Sequence, residues 1–564
     1  MMRKTFLTLS FSALLSVPTF AAPDLIVLNG DVYTVDGTSS RAQAFAVENG
    51  RFTAVGDNQT IRALADDNTR VLDARGQTVT PGFVDAHSHM SGDSPQVAGV
   101  ELSYVVDKAE WLELIKAADA RMPEGEWMTG GYWDHTLSDG LYPTKEMLDA
   151  VVPDRPIFLR HIDGHYGWAN SLALRMAGVT AESEVPSGGE IVLDEATGEP
   201  SGVLLEGAMR LVWDKIPPRS DAQRRAGLAE MQQYANSLGI TGLHQMGELD
   251  DYLYLVEEGD ATLRIWYGHY GLRGRSEAFD DGLAKVMQKT ADTIKRVDAT
   301  QREKAVGPLL YPGFVKLIND GVLSAHTAVL MEDYSDRPGW RGEYITEPDD
   351  LAVLVDKVTR AGMPVAIHSI GDDAVSTALD AFAKARDNPV PFPNRIEHIE
   401  LTHPDDIPRF AELNVVASMQ PNHCTNAIGY VPVRVGKERE SRAYVWRSLL
   451  DGGAKLVLGA DYPTSPLSPL TQIGDAVFRV SPFGFNEGRS WHPEESLSFE
   501  EALRAYTQSP ADITAWKEEI GSISVGKWAD FVILSGRVPE PISDAYYELS
   551  VAATYLAGRQ VFGE

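Results

Sequence analysis

One cysteine, Cys424, stands among 564 residues, so the chain can form no intrachain disulfide and no cysteine-based zinc cluster. Any metal must then be held by imidazole, carboxylate or a modified side chain. Basic residues are also few: 50 Lys and Arg against 81 Asp and Glu leave a formal net charge of −31, a field that repels nucleic-acid phosphate and anionic lipid. The expected partner of the mature chain is therefore a small-molecule substrate, with no nucleic acid and no membrane, and a homodimer is left open. No apolar run reaches the roughly 20 residues of a membrane-spanning helix. Repeats and low-complexity tracts are lacking too, and a composition of 43% apolar and 23% charged residues is that of an ordinary globular chain with room for more than one domain.

At the start of the chain, Arg3 and Lys4 precede an apolar run from Phe6 to Val17, then Pro18 and Thr19-Phe20-Ala21. This pattern predicts a signal peptide over residues 1–22, cleaved after Ala21 or Ala22, and a periplasmic or secreted protein. From Asp24 to about Val79, short runs of alternating apolar and polar residues are separated by Asn29-Gly30 and Asn49-Gly50, the signal of hairpins in a small sheet. Trp528 to Leu534 and Ala552 to Leu556 have the same texture. Residues 23–80 and 510–564 are expected to join as one composite β-sandwich domain.

Between these ends, over 81–509, apolar strands alternate with helices, as in a parallel α/β sheet. Runs at Gly82–Asp85, Gly239–Leu243, Leu263–Trp266, Phe314–Leu317, Pro364–Ile367, Arg395–Glu397, Val415–Ser418 and Lys455–Leu458 number eight, enough to close a (β/α)8 TIM-type barrel. Thr346 with Asp349, and Ser498 with Glu501, read as capping-box helix starts, and Gly362 as a stop. Residues about 100–235 exceed any normal βα connection and form an insertion after strand one. Its aromatics Trp127, Tyr132, Trp133 and Trp168 either roof the barrel mouth or pack a core.

Catalytic groups of such barrels stand at the C-terminal strand ends. His87 and His89 end strand one, and a period of two puts both imidazoles on one side, where they can grip one ion. His368 ends strand five, His398 strand six and Asp461 strand eight. Lys316 lies in mid-strand among Phe314, Val315, Leu317 and Ile318. It either snorkels outward or becomes a carbamate whose two oxygens can bridge two metal ions, since an ammonium is costly to bury there.

Pro81-Gly82-Phe83-Val84-Asp85-Ala86-His87-Ser88-His89, Asp163-Gly164-His165 with Trp168, Asn170 and Ser171, Lys316 with Asp320-Gly321, and then His368, His398, Asp461 and Gly521-Ser522-Ile523 resemble the amidohydrolase superfamily. Within it they resemble the YtcJ-like branch that includes N-substituted formamide deformylase. The resemblance implies a carbon–nitrogen hydrolase with one or two divalent ions per chain, Zn²⁺ by the ligand types. His87, His89 and Asp461 would hold the more buried ion, and His368 and His398 a second, with carboxylated Lys316 or else Glu206 as the bridge. Asp461 would shuttle the water proton, and the second ion or His165 would polarise the carbonyl, unless His165 is a loop histidine bonded to backbone. His244 is expected to line the pocket and His423 to touch substrate, while His161, His269, His326, His403 and His492 are expected on the surface or in packing. Ester or lactone hydrolysis on the same site, or a non-catalytic periplasmic binding protein, are the rival readings.

Overall fold

The computed structural model describes residues 22–563 apart from 38–40, 104, 136–137, 139, 163–164, 186–188, 248–249, 273–276 and 305. The signal reading of residues 1–21 and the Asp163-Gly164 pair lie outside the described residues. At Asn49-Gly50 both residues take positive φ (51° and 76°), and the strands Ala44–Glu48 and Arg51–Gly56 fold back antiparallel across them. Asn29-Gly30 makes no hairpin. The strand Leu25–Leu28 is apolar at every position, with Leu25 and Val27 in the sandwich core and Ile26 and Leu28 packed with Ile61 of the helix Asn58–Arg62. It therefore sits inside its sheet between Ala44–Glu48 and Arg70–Asp73, while Asp31–Tyr33 pairs with Thr78–Pro81 in the facing sheet. The turn hands the chain from one sheet to the other.

That facing sheet takes three strands from the far end of the chain and the strand 41–42 from the near end, in the order 559–562, 551–556, 531–534, 78–81, 31–33, 41–42. Phe45, Phe52, Phe531 and Tyr555 fill the space between the two sheets, with Phe531 stacked on Tyr555 at 4.3 Å. The C-terminal strands begin at Phe531. Before them, Trp516 and Ile520 pack with Trp266 and Phe314 of barrel strands three and four, so this stretch belongs with the barrel and not with the sandwich.

Phe83–Ser88, Ile240–Gln245, Arg264–His269, Leu310–Ile318, Val365–Ser369, Arg395–His398, Val416–Met419 and Lys455–Leu458 form one parallel eight-stranded sheet in sequence order, a TIM-type (β/α)8 barrel. Its first and last strands meet where Asp461 N–H donates to His87 O and His89 N–H to Tyr462 O, both at 2.7 Å. The helix Asp221–Ser237 starts at a capping box of Ser220 and Gln223 and buries Leu228, Met231 and Ala235 in the barrel core. It is a barrel helix, so the insertion ends near residue 220 and not 235. Ser498 and Glu501 form a true capping box, whereas Thr346 does not. Pro348 takes the first helical turn, Glu347 is the N-cap, and Thr346 Oγ1 donates to Ile318 O instead. Gly362 does end that helix region, at φ 84°.

The insertion is a six-stranded sheet, in the order 190–193, 200–205, 166–169, 158–161, 129–133, 99–101, with the helices Lys108–Arg121, Lys145–Val151 and Ser171–Ala177. Trp111, Trp133 and Trp168 are buried together in its own core, and Trp127 packs with Phe158 and Leu204 in a second cluster. These tryptophans pack cores and do not roof the mouth. Among the described residues, no helix is long and apolar enough to cross a membrane.

Sandwich and barrel are joined by a buried bidentate pair. Arg264, on strand three, donates to Asp530 at 2.6 and 2.8 Å and to the carbonyls of Val306 and Pro308, while Ala557 N–H donates to the same carboxylate. Removing one partner of a buried pair strands the other charge, at a cost of about 3–5 kcal/mol. Asp530→Ala is expected to lose about that much stability by urea denaturation, and a loss below about 1 kcal/mol would show that the pair does not couple the two parts.

Candidate metal centre

The seam between strands one and eight builds the site. Asp85 is fully buried, and its carboxylate accepts from His87 N–H (3.0 Å), Ala460 N–H (2.9 Å) and Tyr506 O–H (2.6 Å). Burial pushes its pKa up to about 7 against the pull of those donors. Gly459 must be glycine for the strands to close, because a Cβ there would lie 2.4 Å from His87 N. Asp461 follows at φ 59°, a left-handed conformation held by its N–H bond to His87 O. Its Oδ1 is thereby set 3.3 Å from His87 Nε2 and 3.2 Å from His89 Nε2.

Strand six supplies the next layer. Arg395 and Glu397, two residues apart, share the inner face of the strand. Arg395 donates to both Glu397 oxygens and also to Ala86 O, Ser418 Oγ and His244 Nδ1. Glu397 lies 2.7 Å from His87 Nδ1. Burial would raise its pKa, but the charge of Arg395, the hydrogen bond from His87 and the charge of Lys316 outweigh burial and hold it well below the usual range. A carboxylate at that distance fixes the proton of His87 on Nδ1 and leaves Nε2 a lone pair. His398 and Ile399, at φ 77° and 52°, turn the chain sharply at the strand end. His398 Nδ1 then donates to Gln420 Oε1 at 2.9 Å, which leaves its Nε2 free as a lone pair, and His368 Nε2 donates to Gly321 O at 3.0 Å, which leaves its Nδ1. The rings of His368 and His398 meet at 4.5 Å, and those of His87 and His398 at 4.8 Å.

All three rings are neutral. Burial, then the charge of Lys316, lowers His87 and His368 to about 4; burial, then His368 and His87, takes His398 well below the ordinary value. Lys316 is 4% exposed and faces these groups, so the outward snorkelling reading fails; burial brings its pKa down to about 8. Asp461 is held well below the carboxylate range because His87, His89 and His398 outweigh its burial.

A fit to a divalent ion can be tested on one atom. His87 Nε2 is buried with no hydrogen-bond partner, and its lone pair faces a carboxylate oxygen at 3.3 Å. Two lone pairs at that distance repel unless a cation lies between them. Ligand atoms of His87, His398 and Asp461 all lie within 4.8 Å of one another, and neutral imidazoles with a carboxylate suit Zn²⁺ and its neighbours.

The other candidates fall elsewhere. His165 is half-exposed on the insertion, with Nδ1 3.0 Å from Glu206 Oε1, so Glu206 is paired there and not beside Lys316. His244 does not line the mouth; it is buried under Arg395. His423, on the helix Pro421–Ala427, stacks on His398 and points Nε2 at Asp461 Oδ2, 3.8 Å away. His269 bonds Thr290 in the interior, and His326 and His492 pair with Asp336 and Glu494. His403 accepts from Asp405 N–H. Arg395, Glu397 and Gln420 were not singled out in the sequence. The readable signal was a buried barrel strand, Arg395-Ile396-Glu397-His398, with opposite charges two apart and one apolar residue among its four.

A parallel barrel that gathers neutral imidazoles and a carboxylate at its C-terminal strand ends is the frame of a metal-dependent hydrolase. The chain belongs to the amidohydrolase family, whose sequence profile matches residues 70–562. Putative amidohydrolase YtcJ of Bacillus subtilis is 31% identical over 540 residues, 94% of this chain and 98% of the relative. N-substituted formamide deformylase of Arthrobacter pascens is 30% identical over 552 residues, 95% and 97% of the two chains. The crystal structure of an uncharacterized metal-dependent hydrolase from Pyrococcus furiosus is similar with a TM-score of 0.68 at 28% identity, over 90% of this chain and 98% of that one.

Because Glu397 fixes the His87 tautomer, Glu397→Gln is expected to weaken zinc binding about 10–100-fold, measured by chelator competition. Unchanged affinity would show that His87 needs no such partner.

Proposed function

We propose that this chain hydrolyses a carbon–nitrogen bond other than a peptide bond, in an amide, N-formyl or cyclic amide substrate. The observation that carries the reading is the convergence of two neutral imidazoles, His87 and His398, upon Asp461 at the barrel mouth, with His368 against His398 and one nitrogen of each of the three rings spoken for. In this reading His87, His89 and Asp461 would hold one ion and His368 and His398 a second, with a carbamate on Lys316 as a ligand available to both. A buried amine with a pKa near 8 is partly unprotonated at neutral pH, as reaction with carbon dioxide requires. A divalent ion, Zn²⁺ by its ligands, supplies an attacking water with a pKa of about 7.

Asp461 has two oxygens with separate duties. Oδ1 lies between His87 and His89, and Oδ2, turned toward His423, takes the proton of the attacking water and returns it to the leaving amine. His165, its ring held by Glu206, polarises the scissile carbonyl. The preference for amides over esters rests on the deformylase relative, whose name states a formamide substrate. The basic, apolar and small-residue order of Arg3 to Ala22 supports a signal peptide and, with it, a periplasmic or secreted mature protein.

Zinc-loaded protein is expected to cleave N-formyl and N-acyl amines faster than matched esters, and to lose that activity to a chelator. Hydrolysis confined to esters would overturn the amide reading. Asp461→Asn is expected to keep much of its metal while kcat falls by about 10²-fold or more, since an amide offers an oxygen to the ion but cannot accept a proton. Lys316→Ala is expected to lose the second ion and most activity, with partial recovery in short carboxylic acids. A silent Lys316→Ala would remove the carbamate from the scheme.

A further inference from the structure

Outside the barrel, a second group of metal-ligating side chains comes together in the insertion. The parallel strands Thr129–Trp133 and Phe158–His161 are aligned so that Trp133 stands opposite His161. Asp134 and His135 follow directly on the first strand, and His161 closes the second, so both chains deliver their ligands at the same end of the sheet. His135 Nδ1 lies 3.3 Å from His161 Nε2, and that same Nε2 lies 3.5 Å from Asp134 Oδ1. The three ligand atoms fall within 4.8 Å of one another. Both imidazoles are buried, at 8% and 4% exposure.

We propose that Asp134, His135 and His161 form a second metal site, separate from the barrel centre, for a first-row divalent ion such as Zn²⁺. A tetrahedral ion with bonds of about 2.0–2.2 Å has edges of roughly 3.3–3.5 Å, and these are the two separations found. A hydrogen bond between the rings accounts for less. One N–H on His161 Nε2 points along one direction, yet this atom faces a ring nitrogen and a carboxylate oxygen together. The rings are also held in place before any ion arrives. Trp133 meets His161 edge-on at 4.7 Å, Tyr166 lies 4.8 Å from His161 and 5.6 Å from His135, and Tyr142 lies 4.8 Å from His135. Two imidazoles and a carboxylate favour zinc and its neighbours over calcium and magnesium, which prefer all-oxygen sites.

The ion would tie together the two segments that leave these strands. One of them carries His165 four residues beyond His161, and on the reading above that gives His165 the scissile carbonyl, the site would help to position it.

The test is metal content of the full-length protein, with the two centres disabled in turn. After loading with Zn²⁺ and removal of excess, His161→Ala is expected to hold one zinc fewer per chain than wild type. The double variant His87→Ala/His398→Ala, which takes a ligand from each of the two barrel ions, is expected to keep the insertion ion. Titrating that double variant with Co²⁺ is expected to give the visible band of tetrahedral cobalt, and adding His161→Ala to it should remove the band. Asp134→Asn serves if His161→Ala does not fold, and should weaken cobalt binding by at least about tenfold, the loss typical even for an outer-shell partner. Equal zinc content in wild type and the folded insertion variants, or no cobalt band in His87→Ala/His398→Ala, would overturn the proposal. Neither result depends on the substrate or on turnover at the barrel centre.

Discussion

A barrel of parallel strands closes only when its first strand is joined to its last, and in this chain the seam runs through the functional residues. Asp85 is the joint: one buried carboxylate takes N–H groups from both strands and the hydroxyl of Tyr506. Once it does so, Gly459 is pressed against His87, Asp461 is turned into a left-handed conformation, and its side chain falls between His87 and His89. Ligand geometry and barrel closure are thus one constraint. Strain at Asp461, His398 and Ile399 sits where the surrounding hydrogen bonds are dense enough to hold it.

Beneath that joint lies a buried electrostatic layer. Arg395 holds Glu397 ionised beside His87, and Lys316 lies close to the imidazoles. Burial first, then the charge of Lys316 at His87 and His368 and the neighbouring rings at His398, keeps the rings neutral, and each ring has one nitrogen engaged by a defined partner, a carboxylate, an amide oxygen or a backbone carbonyl. Neutral rings with fixed tautomers are ready ligands, because little has to be reorganised or deprotonated when an ion binds. The same burial raises the pKa of Asp320, whose carboxylate accepts three backbone N–H groups and holds the loop after strand four against the end of strand five.

His87, His89, His368, His398 and Asp461 could be read from the chain because each stands at or just past the end of a short run that reads as a barrel strand, and the end of a barrel strand is a place that order along the sequence defines. Lys316 was legible as an anomaly, a cation in mid-strand, although its direction was not. Glu397 and Arg395 were passed over because their neighbours lie on strands one, two and seven, far away in sequence. The Asn-Gly turns show the same limit. Both dipeptides favour left-handed backbone, yet only Asn49-Gly50 joins paired strands, since the partners of Leu25–Leu28 are chosen by burial on both of its faces.

By itself, then, the sequence determined the eight-stranded frame, the residue types available to hold a metal, and the exclusion of cysteine ligands, because periodicity, turn chemistry and composition are local properties. Only the tertiary structure decided that Lys316 points inward, that Glu206 pairs with His165, that His244 supports Arg395, and that Asp134 and His135 meet His161. Each of those outcomes depends on side chains from separate strands sharing one space, and the packing that brings them together is fixed by the whole fold and not by any segment of it.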